Sequence, residues 1–332
     1  MKRIAIIGGG SWGTALSRVL AQKGHRVRLW VYEDELVQSI NQSHHNSLYL
    51  PDVALPVTVQ ASHSFSYCLE EAEVVLTAVP SHHCRAVYEA MRPFVHPGML
   101  FVSATKGIEN QTHSRMSEVI ESVLSAAFSP QIAVISGPSF AKEVARGDPT
   151  AVVVASQHRI LSALVQCELS GPSLRLYTNA DVVGVELGGA VKNVIAIAAG
   201  VCVGLGFGFN SMAALITRGL AEMTRLAVAC GGKRETLAGL AGMGDLLLTC
   251  TGDLSRNRSV GLQLGQGRKL TEIMAGMRMV AEGVMTTGAA LALAREHQLE
   301  MPITEQMDKV LHEDKNPRDA IKELMDRRLR DE

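Results

Sequence analysis

A chain of 332 residues with a formal net charge of −1 has room for about two domains and no long-range field that would gather DNA, RNA or an anionic membrane surface. The composition, 47% hydrophobic and 20% charged, is that of a soluble globular protein, so any anionic ligand has to be held locally. Six scattered cysteines (Cys68, Cys84, Cys167, Cys202, Cys230 and Cys250) form no C-x-x-C pair, which points to a reducing compartment. The first predicted strand begins right after Met1-Lys2-Arg3, leaving no room for a signal peptide, and a cytoplasmic location is expected.

The most informative stretch comes first. In RIAIIGGGSWGTAL (residues 3–16) a β-branched strand breaks into Gly8, Gly10 and Gly13 and continues as a helix. Gly8 permits a tight turn, Gly10 lets the backbone approach a pyrophosphate, and Gly13 lets the helix pack closely on its strand. The helix N-terminus then faces the phosphates. The alternative is a purely structural glycine turn, and the strand-turn-helix context favours the nucleotide-binding reading.

From there short β-branched runs alternate with helical patterns, the signature of a parallel sheet with crossover helices. Strands are expected near Arg3 to Gly8, Arg26 to Trp30, Glu73 to Ala78, Met99 to Ser103, Ile132 to Ser136, Thr150 to Ala155 and Leu174 to Tyr177. The second ends in Tyr32-Glu33-Asp34, at about the 20-residue offset where a carboxylate holds the ribose 2′-hydroxyl of NAD, with no arginine directly after it to meet a 2′-phosphate. The ends of later strands supply Val79-Pro80-Ser81, Ala104-Thr105-Lys106-Gly107 and Ser136 to Ala141, which contains Gly137 and Ser139. Open α/β sheets bind ligands at such carboxyl ends, so Lys106 is a candidate for a substrate anion. His82-His83-Cys84 and His44-His45, the latter in a polar loop, lack a second ligand pair at zinc-like spacing, and no metal is assigned.

After Asp181 the pattern turns helical: Val182 to Val203, Ser211 to Ala229, Arg234 to Leu240, Asn257 to Leu264, Thr271 to Ala275, Thr286 to Glu296, Thr304 to Leu311 and Pro317 to Arg330. The expected fold is therefore an α/β Rossmann-like, doubly wound sheet over residues 1–180, binding a dinucleotide, followed by an all-α substrate-binding and catalytic domain over residues 181–332. Asn193 to Thr217 contains no charged residue and is long enough to cross a bilayer, but five Gly or Asn breaks favour two buried helices joined by a bend over a membrane span.

Between Glu186 and Arg218, Lys192 is the only charged side chain. A buried ammonium loses solvation and its pKa falls, which suits a general acid/base; the alternative is a lysine that snorkels to the surface. Gly188 and Gly189 are expected to open space on the preceding turn. Asp245, in the run Gly242 to Thr249, shares a helix face with Thr249 and would satisfy Lys192, though alone it reads as an N-cap. Ser255-Arg256-Asn257-Arg258 gathers guanidinium, hydroxyl and amide donors at a helix start, fit for a phosphate, or for no more than a capped helix with solvated arginines.

Taken together, GGGSWGTAL, ATKG, ISGPSFAKE, LGGAVKNVIAI, ITRGLAEM, GMGDLLLTC, SRNRSVG and VAEGV, in order from residue 4 to about 306, resemble the bacterial NAD(P)-dependent sn-glycerol-3-phosphate dehydrogenase family. The resemblance implies reversible hydride transfer between NAD(P)H and dihydroxyacetone phosphate, giving sn-glycerol 3-phosphate for phospholipid synthesis, and a possible homodimer. It implies that Ser11 and Trp12 line the cofactor turn and that Tyr32, Lys106, Ala141, Arg256, Val280 and Glu282 lie near the cofactor. Lys106, Gly137, Ser139, Asp245, Ser255, Arg256 and Asn257 match substrate-binding positions, and Lys192 matches the proton acceptor, with Lys106 and Asp245 orienting donor and substrate. The choice between NAD and NADP stays open. A β-hydroxyacid dehydrogenase or ketopantoate reductase, or a non-catalytic NAD(P) sensor, is the competing reading. The Ser255 to Arg258 cluster speaks for phosphate over carboxylate, and Lys192 with Asp245 speaks for catalysis.

Overall fold

The computed structural model describes residues 1–277 and 279–328. It divides into two compact units, one of residues 1–106 and 114–186, the other of residues 107–113 and 187–332.

The first unit is a doubly wound sheet. Its strands are β1 (Arg3–Ile7), β2 (Arg26–Trp30), β3 (His45–Asn46), β4 (Leu50–Ala54), β5 (Val59–Ser62), β6 (Val74–Thr77), β7 (Leu100–Ser103), β8 (Gln131–Ser136), β9 (Thr150–Ala155) and β10 (Leu174–Asn179). Eight of them form one sheet in the order β10-β9-β8-β7-β6-β1-β2-β5. The pairs from β5 through β1 to β8 are parallel, as the crossover pattern requires. On one face Ile4 and Ile6 of β1 pack with Leu16 and Leu20 of helix α1 (Ser11–Gln22) and Leu36 and Ile40 of α2 (Asp34–Ser43). On the other, Ala5 and Ile7 pack with Leu69 of α3 (Phe65–Leu69), Tyr88 of α4 (Cys84–Met91) and Ile120 of α5 (Met116–Leu124). A strand at the centre of such a sheet is apolar on both faces, which is why RIAII reads as a continuous hydrophobic run. Beyond β8 come α6 (Ala141–Arg146) and α7 (Arg159–Leu169).

Three features depart from the sequence reading. The sheet is mixed, because β9 runs antiparallel to β8 after α6 ends at Gly147, whose φ of 93° reverses the chain. The edge strand β5 and the β3–β4 hairpin, absent from the sequence reading, are short and lie in a stretch broken by Pro51 and Pro56. His44 and His45 belong to this structure and not to a loop: His44 ends α2 in the left-handed conformation (φ 56°) and His45 opens β3.

From Leu187 onward the second unit is helical among its described residues. α8 (Val182–Gly204), α9 (Phe209–Ala229), α10 (Arg234–Ala238), α11 (Asp245–Thr251), α12 (Arg256–Gly265), α13 (Leu270–Ala275), α14 (Glu282–Glu296), α15 (Pro302–His312) and α16 (Pro317–Met325) follow in order. The last helix stops at Met325, short of the expected Arg330, with Asp326 as its C-cap; residues 329 and 330 of that expectation lie outside the described residues. Small residues bring α8 against α12, since a Cβ on Gly261 would fall 1.9 Å from the Ile197 carbonyl oxygen and one on Gly200 2.0 Å from that of Arg258. α8 is the expected core helix. The first two turns of α9 are not buried, with Phe209 93% exposed, so the expectation of two buried helices holds only for the first.

Candidate active site

The strand order turns at β1, which has β2 on one side and β6 on the other, and a ligand crevice is expected outside the carboxyl ends of the strands at such a switch point. The glycine turn occupies that place. Gly8 has φ 123°, and a Cβ there would stand 2.5 Å from the Ala78 carbonyl oxygen; one on Gly13 would fall 1.9 Å from the carbonyl oxygen of Gly8 itself. Gly10 is different, because a Cβ on it would meet nothing within 4 Å. It is also the N-cap of α1, with no side-chain cap and no acid in the first turn. Among the described residues the backbone N–H groups of Ser11, Trp12 and Gly13 meet no acceptor, which fits a dinucleotide pyrophosphate at this helix start. The Trp12 indole Nε1 is buried without a hydrogen-bond partner among the described residues.

Neighbouring strand ends add further groups. Thr105 Oγ1 donates to the Val79 carbonyl (2.9 Å), joining the ends of β6 and β7. Lys106 Nζ and Ser139 Oγ both donate to the Gly137 carbonyl, at 3.0 and 2.9 Å, so Lys106, Gly137 and Ser139 form one cluster. Gly137 has φ 139° and a Cβ on it would press on Val152 at 3.0 Å. Ala141 opens α6 and packs against the same core as Trp12. Tyr32 is 81% exposed just past β2.

In the second unit Lys192 is buried in α8 and donates to Asp245 Oδ1 at 2.8 Å and to Thr249 Oγ1 at 2.7 Å. Asp245, 1% exposed, opens α11, and the Thr249 hydroxyl donates to the Asp245 carbonyl one turn back (2.6 Å). A π-helical turn over Leu240–Gly244 delivers Asp245 to this position. Such turns are uncommon and gather at functional sites. Gly188 does not open space beside Lys192 as expected; the backbone of the π-turn fills it, and a Cβ there would lie 2.6 Å from the Ala241 carbonyl oxygen. That contact sets Asp245 opposite the lysine one turn further along α8. Lys192 does not snorkel, and Asp245 is no mere cap.

Ser255 is the N-cap of α12, accepting from Arg258 N at 3.2 Å. Arg256 donates one guanidinium N–H to the Val280 carbonyl (3.1 Å) and lies within electrostatic reach of Glu282, the first residue of α14, which brings Arg256, Val280 and Glu282 together. Asn257 donates to Asn193 Oδ1 and accepts from Gly283 N, each at 2.9 Å, and so ties α8, α12 and α14. Arg258 is held by Asp253 at 2.9 Å. Two groups escaped the sequence reading. Asn46 Nδ2 donates to the Gly9 carbonyl and to Thr14 Oγ1, both at 2.7 Å, and Tyr49 reaches Glu33. No sequence motif marks them: Asn46 closes the two-residue strand β3 and Tyr49 lies in the turn before β4.

Residues 3–161 match the family model described as NAD-dependent glycerol-3-phosphate dehydrogenase N-terminus, and residues 181–322 the corresponding C-terminus. A glycerol-3-phosphate dehydrogenase [NAD(P)+] of Koribacter versatilis is 60% identical over 329 residues, covering 98% of each chain, and one of Geobacter sulfurreducens is 53% identical, covering 100% of this chain and 99% of its own. Among solved structures, glycerol-3-phosphate dehydrogenase from Coxiella burnetii superposes with a TM-score of 0.93 at 44% identity, covering 98% of this chain and 99% of that one. A ketopantoate reductase from Ralstonia eutropha shares only the fold, with a TM-score of 0.60 at 17% identity over 96% of this chain and 99% of its own. The fingerprint turn, the two-unit architecture and these full-length matches agree: the chain belongs to the NAD-dependent glycerol-3-phosphate dehydrogenase family, whose closely similar bacterial members are NAD(P)+-dependent enzymes.

Proposed function

We propose that this chain catalyses the reversible NAD(P)H-dependent reduction of dihydroxyacetone phosphate to sn-glycerol 3-phosphate, feeding glycerophospholipid synthesis in the cytoplasm. Residues 1–180 bind the dinucleotide and residues 181–332 supply substrate-binding and catalytic groups. The observation that carries the reading is the Lys192 ammonium, buried between Asp245 Oδ1 and Thr249 Oγ1.

A bound nicotinamide supplies the hydride, and the protein supplies position and field. Gly8, Gly10, Ser11, Trp12 and Gly13 hold the pyrophosphate side, with Tyr32, Ala141, Val280 and Glu282 as further cofactor neighbours. Lys192 gives a proton to the ketone oxygen as negative charge builds there, and takes it back in the oxidising direction. Asp245 offsets the buried ammonium, a pairing without which the desolvated charge would be costly, and Thr249 fixes the lysine's direction. Among the described residues Arg256 donates one N–H, to Val280, and the rest of its fork is available to the substrate phosphate, assisted by Ser255, Asn257 and the N-terminus of α12. Lys106, with Gly137 and Ser139, positions substrate and cofactor. A second copy of the chain is the proposed partner, consistent with the exposed Phe207 just before α9 and Phe209 at its uncharged start.

The test is absorbance at the nicotinamide wavelength with dihydroxyacetone phosphate and each reduced cofactor. Oxidation of cofactor with this substrate, and little with unphosphorylated dihydroxyacetone or ketopantoate, is the expected result. Turnover of ketopantoate without turnover of the phosphorylated ketone would contradict it.

A further inference from the structure

Past the end of β2 the chain carries three consecutive carboxylates, Glu33, Asp34 and Glu35, and Glu33 follows the last fingerprint glycine, Gly13, by 20 residues. β2 is tied to the glycine turn itself, since Gly8 N donates to the Trp30 carbonyl (3.0 Å). Glu33 is also fixed from a second direction. The buried Asn46 donates to the Gly9 carbonyl at 2.7 Å, its Oδ1 accepts from Tyr49 N at 2.9 Å, and the Tyr49 hydroxyl donates to Glu33 Oε1 at 2.5 Å. A relay of three hydrogen bonds thus runs from the carbonyl of the phosphate-binding turn to the carboxylate at the end of the neighbouring strand. Burial and the neighbouring acids push the Tyr49 hydroxyl up to about 12, so it stays protonated and Glu33 is always the acceptor. Oε2 of Glu33 receives no hydrogen bond from the described residues and is left to accept one from outside.

The charge around this carboxylate is one-sided. From Leu29 to Cys84 the sequence contains no lysine or arginine, while it contains Glu33, Asp34, Glu35, Asp52, Glu70, Glu71 and Glu73. Basic side chains packed on this stretch from elsewhere are committed: Arg18 donates to the Ala54 carbonyl, Lys142 pairs with Asp52, Arg28 with Glu70, Arg3 with Glu71 and Lys2 with Glu73. His63 lies 3.1 Å from Asp34. Among the described residues, the basic side chains paired with this stretch are those already committed, and none is placed as the bidentate cation that a 2′-phosphate needs.

Resting on the proposal that the glycine turn holds a nicotinamide dinucleotide, we infer that Glu33, positioned by the Tyr49–Asn46 relay, binds the ribose diol of the adenosine half and makes this chain selective for NADH over NADPH. Asp34 and Glu35 add repulsion against a dianionic 2′-phosphate. Tyr49 and Asn46 act as positioning residues, through Glu33.

The experiment is calorimetric titration of the purified full-length protein with NADH and with NADPH, without substrate. The wild-type protein is expected to bind NADH about 10- to 150-fold more tightly, the range set by one charge-assisted hydrogen bond gained or lost. Glu33→Gln should weaken NADH and bring the two affinities within about threefold, Glu33→Arg should reverse the preference, and Tyr49→Phe should shrink the ratio while Glu33 is still present. Thermal unfolding of each variant reports that the fold is kept, which Glu33, near the surface, permits. Equal or tighter binding of NADPH by the wild type, or an unchanged ratio in Glu33→Gln, overturns the inference and leaves the dinucleotide site standing. Binding of neither nucleotide overturns both.

Discussion

The glycines of the nucleotide turn separate a requirement of folding from a requirement of binding, and alanine at each tells the two apart. At Gly13 a Cβ would lie 1.9 Å from the Gly8 carbonyl oxygen, a backbone atom that cannot swing aside. Forcing such a contact costs about 1–3 kcal/mol or more, against which the better helix propensity of alanine returns no more than about 1 kcal/mol. At Gly10 the dihedrals, φ −65° and ψ 177°, suit any residue, and the added methyl would stand in open space. Gly10→Ala should therefore leave stability close to unchanged, because the roughly 0.4–1 kcal/mol gained through the unfolded chain is offset by alanine's poorer N-cap. The same methyl would occupy the space a pyrophosphate needs, and overpacking of about 1–3 kcal/mol translates into roughly 5- to 150-fold weaker dinucleotide binding. Scanning calorimetry and nucleotide titration on both variants form the assay. Gly13→Ala should melt at least about 2 °C lower, and Gly10→Ala should melt normally and bind poorly. A Gly10→Ala protein that binds NADH and NADPH as the wild type does would refute the reasoning and reduce the motif to a structural turn.

Arg256→Ala should slow turnover of dihydroxyacetone phosphate by about 10- to 150-fold, the worth of its charge-assisted bonds, and spare the residual turnover of dihydroxyacetone; equal losses on both substrates would mean that Arg256 does not read phosphate. Burial raises the thiols of Cys68 and Cys250 to about 12 and that of Cys202 to about 11, so a disulfide reagent at pH 8 should modify exposed Cys167 first and half-buried Cys230 next, and reach Cys68, Cys84, Cys202 and Cys250 only after unfolding. More than two reactive thiols in the native protein would contradict the burial pattern. Burial also holds the Glu222 carboxyl above its usual 4.5, although Ile303 N, Thr304 N and Thr304 Oγ1 all donate to it. The folded state then binds more protons than the unfolded one above pH 4.5, so this group's contribution to stability falls as pH rises through the folded pKa. The stability of wild type minus that of Glu222→Gln should decline across that window, and a difference that rises with pH would show the hydrogen bonds outweighing burial.

Much of the first unit was legible because its signals are local. A β-branched run on both faces of a central strand, a glycine turn and a following helix are each written in consecutive residues, and β1, the turn and α1 follow. The antiparallel β9 and the edge strand β5 were not legible, because strand direction depends on how α6 ends at Gly147 and β5 is only 4 residues long. In the second unit the isolation of Lys192 in apolar sequence already asked for a partner, and Asp245 was its natural counter-charge. What sequence could not show is the device that joins them: the π-turn of Leu240–Gly244 seated on Gly188. Likewise the acids after β2 were visible, but the relay through Asn46 and Tyr49 runs through the β3–β4 hairpin, which no sequence motif marks.

The most direct test of the account is the turnover of Lys192→Met with dihydroxyacetone phosphate at saturating reduced cofactor, beside the double variant Lys192→Met/Asp245→Asn. The single variant leaves Asp245 buried without its 2.8 Å partner, a loss of about 3–5 kcal/mol in stability, so both are assayed well below their melting temperatures and checked for NADH and NADPH binding. The account predicts that dinucleotide binding survives, that turnover falls about 100- to 10,000-fold, and that the double variant, relieved of its buried charge, is more stable but no faster. Near-normal turnover by folded, cofactor-binding Lys192→Met would contradict it.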